Sequence, residues 1–300
     1  MNRLIFYLLV KPISMLPLWT LYGVSNFLYV VLYKTFRYRV KVVSGNIARS
    51  FPEKSKAERK QIEKAFYSHF FDLIMETLKH FSISAEEIKS RVTMRNIEVI
   101  DRFAEEGRSV FLLSGHYGNW ELAAMGIELH GKHKMCGIYH PLKNKFWNEK
   151  LQNSRSRLGM DLVSKRELSG YFEKTMGTPI GTLIATDQSP SNPYRAYWTT
   201  FLNQDTAVLF GTEKFGKDYN QPIYYGKIMR TKRGHYEVEF IKVTDDPRSL
   251  PYGEITERHT AILEEQIREE PSFWLWTHKR WKRTKPDDYQ EHLEKMKARV

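Results

Sequence analysis

The sequence predicts an α/β protein in which helices flank a mixed, largely parallel central sheet, with an N-terminal hydrophobic membrane-anchoring helix in front. Short apolar runs alternate with longer segments in which apolar residues recur at helical spacing, a pattern typical of layered α/β folds. Polar residues of the types that act in catalysis follow two of these runs. The first 41 residues contain no Asp or Glu. We therefore expect an anchor at residues 1–40 and a single α/β domain at residues 41–300.

The N-terminal apolar stretch is long enough to cross a bilayer. Residues 13–33 carry no charge over 21 positions, and about 20 apolar residues span a hydrocarbon core of roughly 30 Å. Pro17 and Gly23 interrupt the stretch, and basic residues follow it at Lys34, Arg37, Arg39 and Lys41. We expect a retained anchor, either one span or a deeply seated interfacial helix, with the main domain on the cytoplasmic side. A buried core helix is the alternative.

Helices and strands alternate along the rest of the chain. Helical spacing predicts a long helix at residues 55–81, and Ser55 with Glu58 resembles a capping box at its start. Further helices are predicted at residues 97–106, 119–129, 144–157, 206–215 and 253–269. Compact apolar runs predict strands at residues 110–113, 135–139, 180–185, 222–229 and 236–243. Sites form at the carboxyl ends of such strands, and His116 and Asp187 each follow one.

The charge balance and the cysteine count limit the classes of partner and compartment. The chain has 47 Lys and Arg against 35 Asp and Glu, a net charge of +12. This excess favours an anionic partner such as nucleic acid, an acidic membrane face, a phosphorylated lipid or an acidic protein. Cys136 is the single cysteine, so no intrachain disulfide forms and a reducing, cytosolic environment fits.

The stretch LLSGHYGNWE, residues 112–121, contains a candidate catalytic pair, His116 and Glu121. Residues five apart on a regular helix differ by about 140°, so the two side chains converge only if His116 lies in the turn before the helix. A carboxylate bonded to one ring nitrogen leaves the other as a base. Gly118 allows close substrate approach, and the helix start at Asn119 suits an anion or oxyanion. A structural corner is the alternative.

Other polar residues are weaker candidates. Arg155 and Arg157 are two apart and do not share a helix face, so we expect one to point into the site and the other outward. Asp187 either positions an arginine or the loop, or caps a turn. The C-terminal WLWTHKRWKRTK interleaves tryptophans with basic residues that include His278 and Arg280. This suits lipid headgroups, a phosphorylated acceptor or single-stranded nucleic acid, or else forms a final helix over the core.

A group of residues with metal-like spacing carries little weight. It consists of His130, His133, Cys136 and His140. In a strand His133 and Cys136 fall on opposite faces, and no second cluster completes a ligand set. We expect no metal and no cofactor.

Several ordered blocks resemble one family. GRSVFLLSGHYGNWE, residues 107–121, resembles the first block of the glycerolipid and lipid A acyltransferase superfamily, whose signature is His, four residues, then Asp or Glu. NIARSFPEKSKAERKQI from residue 46, YHPLKNKFWNEKLQNSRSRLG from 139, TDQSP from 186 and PSFWLWTHKRWK from 271 are similar to blocks of the late acyltransferases of lipid A biosynthesis. The chain departs from that pattern at His140, where Arg is usual, and at residues 190–203.

The resemblance implies transfer of a fatty acyl chain from a thioester, on acyl carrier protein or CoA, to a hydroxyl of a lipid A precursor. His116 would be the general base and Glu121 the carboxylate that orients it. The substrate-binding residues would be Arg155, Arg157, Asp187, Gly118, Asn119, His278 and Arg280. The expected partners are acyl carrier protein, a glycolipid acceptor and the inner membrane, with the catalytic domain facing the cytoplasm and no nucleic acid.

Two alternatives remain at this stage. The same chemistry could act on another acceptor, namely a phosphoglycolipid, an aminolipid or a lipidic pigment. A non-catalytic membrane adaptor that binds anions through the C-terminal cluster is the alternative from another class.

Overall fold

The computed structural model describes residues 1–297. The strands within them are β1 (Val92–Met94), β2 (Val110–Ser114), β3 (Lys134–Tyr139), β4 (Asp161–Ser164), β5 (Ile180–Ala185), β6 (Ala196–Phe201), β7 (Gln204–Leu209), β8 (Ile223–Lys232) and β9 (His235–Thr244). Seven of them form one sheet in the order β1-β9-β8-β2-β5-β3-β4, while β6 and β7 form a separate pair. In the main sheet only β8 and β9 pair antiparallel. The predicted mixed, largely parallel sheet is confirmed.

Helices of the α/β domain cover both faces of this sheet, and further helices form the N-terminal segment. They are α1 (Asn2–Ile5), α2 (Lys11–Met15), α3 (Leu18–Leu28), α4 (Val40–Ser50), α5 (Lys56–Lys79), α6 (Ala85–Arg91), α7 (Glu98–Glu105), α8 (Trp120–His130), α9 (Lys145–Ser156), α10 (Leu168–Lys174), α11 (Gly211–Tyr219), α12 (Glu254–Glu269) and α13 (Tyr289–Lys297). Strand β2 is apolar along its length because both of its faces are covered. Its consecutive residues Leu112 and Leu113 belong to two different core clusters, one on each face of the sheet.

The long helix α5 begins as predicted. The Ser55 side chain accepts a hydrogen bond from the Glu58 backbone N–H at 3.2 Å, and the Glu58 carboxylate accepts one from the Ser55 backbone N–H at 2.7 Å. Both partners of the capping box are therefore present. Apolar residues of α5, among them Phe66 and Phe71, pack into the core cluster that includes Leu113.

The predicted helix at residues 206–215 is wrong in its first half. Residues 204–209 form strand β7, which pairs antiparallel with β6. Leu202 and Asn203 both have positive φ, 49° and 63°, and make the tight turn that joins these strands. The helix begins only at Gly211. The helix predicted at residues 253–269 is present as Glu254–Glu269. A further helix, α13, follows it and was not predicted.

The N-terminal segment is not the single helix that hydropathy predicted. It forms two arms, Asn2–Met15 and Leu18–Thr35, bent by 115° with respect to each other. The break lies at Leu16, which is extended (ψ 149°), and at Pro17, which lacks the N–H that a continuing helix needs. In the described part of the chain no single helix has the length and hydropathy of a membrane span, although the two arms together do.

One side of the bent arms is attached to the α/β domain by polar contacts with α5. Ser25 donates a hydrogen bond to Asp72 (2.7 Å) and Tyr22 donates one to Glu76 (2.9 Å). The opposite side is exposed and apolar. Trp19 is 76% exposed there, and most of the other exposed large apolar side chains of the described chain lie in the same segment. Membrane anchoring itself stays a prediction.

Candidate active site

His116 lies in the turn between β2 and α8, outside the regular helix that carries Glu121. Two glycines make this turn possible. A side chain at Gly115 would place its Cβ 2.7 Å from Leu263 Cδ1, and Gly118 has a φ of +59°, which residues with a side chain rarely adopt. The geometric condition for convergence of His116 and the start of α8 is therefore met.

The C-terminal tryptophan segment holds this turn in place. The Gly118 N–H donates to the Phe273 carbonyl (2.9 Å), the Leu275 N–H donates to the His116 carbonyl (3.1 Å), and Tyr117 forms an antiparallel bridge with Trp274. Trp274 is 2% exposed. Trp276 lies beside it with its ring buried as well. These two rings are thus part of the core rather than of a headgroup surface.

Asp187, at the end of β5, is the carboxylate bonded to the His116 ring. Its Oδ1 accepts from His116 Nδ1 at 2.6 Å, and its Oδ2 accepts from the His116 backbone N–H at 2.9 Å. The Trp274 indole N–H donates to the same Oδ2 at 2.8 Å. Burial alone would raise the pKa of Asp187, but the neighbouring His116 charge and these hydrogen bonds lower it below its ordinary value. Asp187 therefore stays ionised.

The other ring nitrogen of His116 is the basic atom. Because the Nδ1–H group donates its hydrogen bond to Asp187, Nε2 carries a lone pair, and the Gln188 side-chain amide donates to it at 3.1 Å. Burial lowers the pKa of His116, but the charge of Asp187 and its hydrogen bond outweigh burial, so the pKa is raised overall. A histidine with a fixed tautomer and a raised pKa suits general-base chemistry.

Glu121 binds Arg155 rather than the His116 ring. Arg155 Nε donates to Glu121 Oε2 at 2.7 Å, and Arg155 Nη2 donates to Glu121 Oε1, so the pair is bidentate. Glu121 lies in the first turn of α8 and Arg155 in the last turn of α9. The ion pair thus joins the two helices next to His116.

A cavity of about 470 Å³ opens beside these residues. His116, Glu121, Arg155 and Gln188 line it together with many apolar side chains. A largely apolar cavity with a few convergent polar groups is the usual form of a small-molecule site. This one suits a hydrocarbon chain whose reacting end lies at His116.

Comparison with known proteins agrees with this chemistry. The family described as bacterial lipid A biosynthesis acyltransferase matches residues 4–283. The chain belongs to this family. It is also 23% identical over 252 residues to a lipid A biosynthesis acyltransferase of Haemophilus influenzae. The aligned region covers 83% of this chain and 79% of that protein. The protein is therefore an acyltransferase.

Three further residues predicted to bind substrate in this acyltransferase make contacts within the protein. Asn119 is fully buried: its Oδ1 accepts from the Leu122 N–H (2.9 Å), which caps α8, and its Nδ2 donates to Glu76 (2.7 Å). The Gly118 N–H is bonded to Phe273. Arg157 donates to backbone carbonyls, including that of His80 at 3.4 Å, and does not line the cavity. Of the two arginines, Arg155 alone faces the site.

His278 and Arg280 lie behind the Asp187 loop of the acyltransferase. His278 Nε2 accepts from the Ser189 backbone N–H at 3.2 Å, and burial lowers the pKa of His278 to about 4. Arg280 is 3% exposed, and burial lowers its pKa to about 10. Its guanidinium borders a small cavity that Asp187 also lines. Neither side chain lines the apolar cavity; His278 supports the loop through Ser189, whereas Nε and Nη1 of Arg280 are buried without a hydrogen-bond partner among the described residues.

The residues with metal-like spacing do not meet at a common point. His130 and His133 each bond a backbone carbonyl, of Val92 and of Arg108. Cys136 is buried, and burial raises the pKa of its thiol to about 12. Within residues 1–297 no three His, Cys, Asp or Glu side chains are grouped as ligands.

Sequence reasoning missed the pairing of His116 with Asp187. A signal was available, because both residues follow apolar strands and neighbouring parallel strands end at the same edge of a sheet. Strands β2 and β5 are direct neighbours, with Ser114 opposite Ala185. The role of Trp274 had no comparable signal, since nothing in the sequence links the C-terminal segment to the catalytic turn.

Proposed function

We propose that this acyltransferase moves a fatty acyl chain from an acyl carrier protein thioester, or a CoA thioester, to a hydroxyl of a lipid A precursor. The observation that supports this most strongly is the environment of the His116 ring. Its Nδ1 is bonded to ionised Asp187, and the ring lines a largely apolar cavity. A base beside an apolar cavity is what an acyl transfer without a covalent intermediate requires.

The acceptor hydroxyl replaces the Gln188 amide at His116 Nε2. As its oxygen attacks the thioester carbonyl carbon, Nε2 takes the hydroxyl proton and a C–O bond forms. The tetrahedral intermediate then collapses, the C–S bond breaks, and the imidazolium returns the proton to the leaving thiolate. Asp187 stabilises the imidazolium during these steps and keeps the ring in one orientation.

Arg155 supplies positive charge on the α8 side of the cavity. Two of its nitrogens bind Glu121, which leaves Nη1 free to meet an oxyanion or an acceptor phosphate. In this proposal Glu121 acts through Arg155: it orients the guanidinium, while Asp187 orients the base. This assignment differs from the role that the family pattern implied for Glu121.

We also propose that the enzyme lies at the inner membrane, with its catalytic domain on the cytoplasmic face. The support is the exposed apolar side of the two N-terminal arms, at Trp19 and Phe27 for example, followed by the exposed basic residues Lys34, Arg37 and Arg39. Apolar side chains next to basic ones suit the interface of an anionic leaflet.

The test uses purified full-length protein with lauroyl or myristoyl acyl carrier protein, or the matching CoA ester, and a lipid A precursor. His116→Ala should lower turnover by about 10²- to 10⁴-fold, the usual contribution of a general base. His130→Ala, at the other end of α8, is the matched control and should keep wild-type turnover. Turnover of His116→Ala close to wild type would exclude the assigned base. Unchanged lipid A acylation in a deletion strain would direct the search to another acceptor.

A further inference from the structure

The cavity beside His116 lies on both faces of the central sheet. Successive residues of a strand point to opposite faces. The cavity is lined by Leu112 and Leu113 of β2 and also by Leu183 and Ile184 of β5. Leu112 and Leu183 pack in the core cluster on one face of the sheet. Leu113 and Ile184 pack in the cluster on the other face. The space therefore passes over the ends of β2 and β5 and continues on either side.

The first lobe lies between the sheet and α8. Its walls include Leu112, Ala124, Ile127, Met160 and Phe240, all from the core cluster on that face. The pair of Glu121 and Arg155 lies on the same side, where α8 begins and α9 ends. A carbonyl held between His116 and Arg155 would direct its hydrocarbon chain into this lobe.

The second lobe lies on the opposite face, towards α10 and α11. Its walls include Ile138, Leu168, Ile184 and Phe215, which pack in the other core cluster, and Thr212 at the start of α11. Lys165 and Thr212 are the polar side chains beside these apolar walls, and Lys165 Nζ lies next to Gly211 at the start of α11. A pantetheine arm carries amides that need hydrogen-bond partners when buried, and these walls offer few. A second hydrocarbon chain fits them better.

We propose that the two lobes hold two hydrocarbon chains at the same time: the acyl chain of the donor in the first lobe and a chain of the acceptor lipid in the second. This inference rests on the proposed acyl transfer and adds a binding site to it. His116 lies where the lobes join, so the acceptor hydroxyl and the donor carbonyl are brought to the same base. The acceptor is then selected by its lipid chain as well as by its headgroup.

Binding of free fatty acid tests the site without relying on catalysis. Titration of the full-length protein with dodecanoate, followed by native mass spectrometry, should show two molecules bound to the wild type. Ala124→Phe fills the first lobe and Thr212→Phe fills the second, so each variant should bind one. Ile184→Phe is a second variant for the second lobe, in case Thr212→Phe does not fold. A single bound molecule in the wild type would overturn the inference.

Steady-state kinetics assigns the chains to the lobes. Ala124→Phe should shift the preference towards shorter donor chains and leave KM for the acceptor unchanged. Thr212→Phe should raise KM for the acceptor by at least about tenfold, since the loss of even one methylene contact has that effect, and leave the donor preference unchanged. A shift of donor preference in both variants would mean one continuous donor channel and would overturn the proposal. Two bound fatty acids without any acyl transfer would contradict the proposed function but support the two sites.

Discussion

Asp187 binds His116 twice, through the imidazole Nδ1 at 2.6 Å and through the backbone N–H at 2.9 Å. One carboxylate therefore fixes both the tautomer of the ring and the position of the turn that carries it. The Trp274 indole fixes the carboxylate in turn, at 2.8 Å. The orientation of the base depends on three segments that are far apart in sequence.

Asp187→Asn should lower kcat by about 10²- to 10⁴-fold with little change in KM. The neutral amide cannot stabilise the imidazolium, and its NH2 group can donate to Nδ1 and move the ring proton to Nε2. Asp161→Asn is the matched control, since Asp161 lies on β4, away from His116, and accepts a hydrogen bond from Tyr171 of α10. Kinetics of the two variants, with thermal unfolding to check folding, measures the effect. Equal losses in both would refute a special role for Asp187.

Activity should increase with pH through a pKa above 6.5, the ordinary value for histidine, because His116 acts as a base only when it is neutral. Burial lowers this pKa, but the Asp187 charge and hydrogen bond raise it more. Removal of the carboxylate should therefore move the acidic limb of the kcat/KM profile to lower pH in Asp187→Asn. An acidic limb that stays at the same pH would show that another group controls it.

Glu121 and Arg155 should behave as one unit. Glu121→Gln and Arg155→Gln should each reduce kcat/KM, and the double variant should be about as impaired as the worse single one, because residues in direct contact do not act additively. A double-mutant cycle on purified protein measures this coupling. Losses that multiply would mean that Glu121 also acts on His116 independently of Arg155.

Asn119→Ala should destabilise the protein by about 1–3 kcal/mol, since it removes the cap of α8 and leaves the buried Glu76 carboxylate without one donor. Asn144→Ala is a matched control, because Asn144 caps α9 at an exposed position without a buried partner. Its cost should be only about 0.5–1 kcal/mol. Urea unfolding of the two variants gives the comparison; equal costs would show that the bond to Glu76 contributes nothing.

The double variant Trp19→Asp with Phe27→Asp should lose binding to vesicles that contain anionic lipid, because it places charge on the exposed apolar side of the N-terminal arms. Met176→Asp is the control, since Met176 is even more exposed (83%) but lies outside these arms. Vesicle co-sedimentation measures the difference. Retained binding by the double variant would place the membrane contact elsewhere.

Local patterns predicted the elements that carry the site but not how they meet. The strand at residues 180–185 was predicted with the bounds that the structure gives, and α8 within one residue at each end. The partner of His116 could not be read from spacing, because it depends on which strands are neighbours. Sequence proximity therefore assigns Glu121, the nearest carboxylate, to the ring. In the structure Glu121 forms an ion pair with Arg155.

The N-terminal arms show a second limit of prediction from sequence. Hydropathy reports that residues 13–33 are apolar, and this holds equally for a straight span and for two arms bent at Pro17. The contacts that decide between them involve Asp72 and Glu76 on α5, whose carboxylates look like ordinary surface positions in the sequence. Both are buried in the structure.

The bridge between Tyr117 and Trp274 also makes the catalytic turn depend on a segment that is translated later. The backbone partners of the turn around His116, at Phe273 and Leu275, follow it much later in the chain. At about 5–20 residues per second, several seconds of synthesis separate the turn from the segment that holds it, and the base cannot take its final position before that segment has been made.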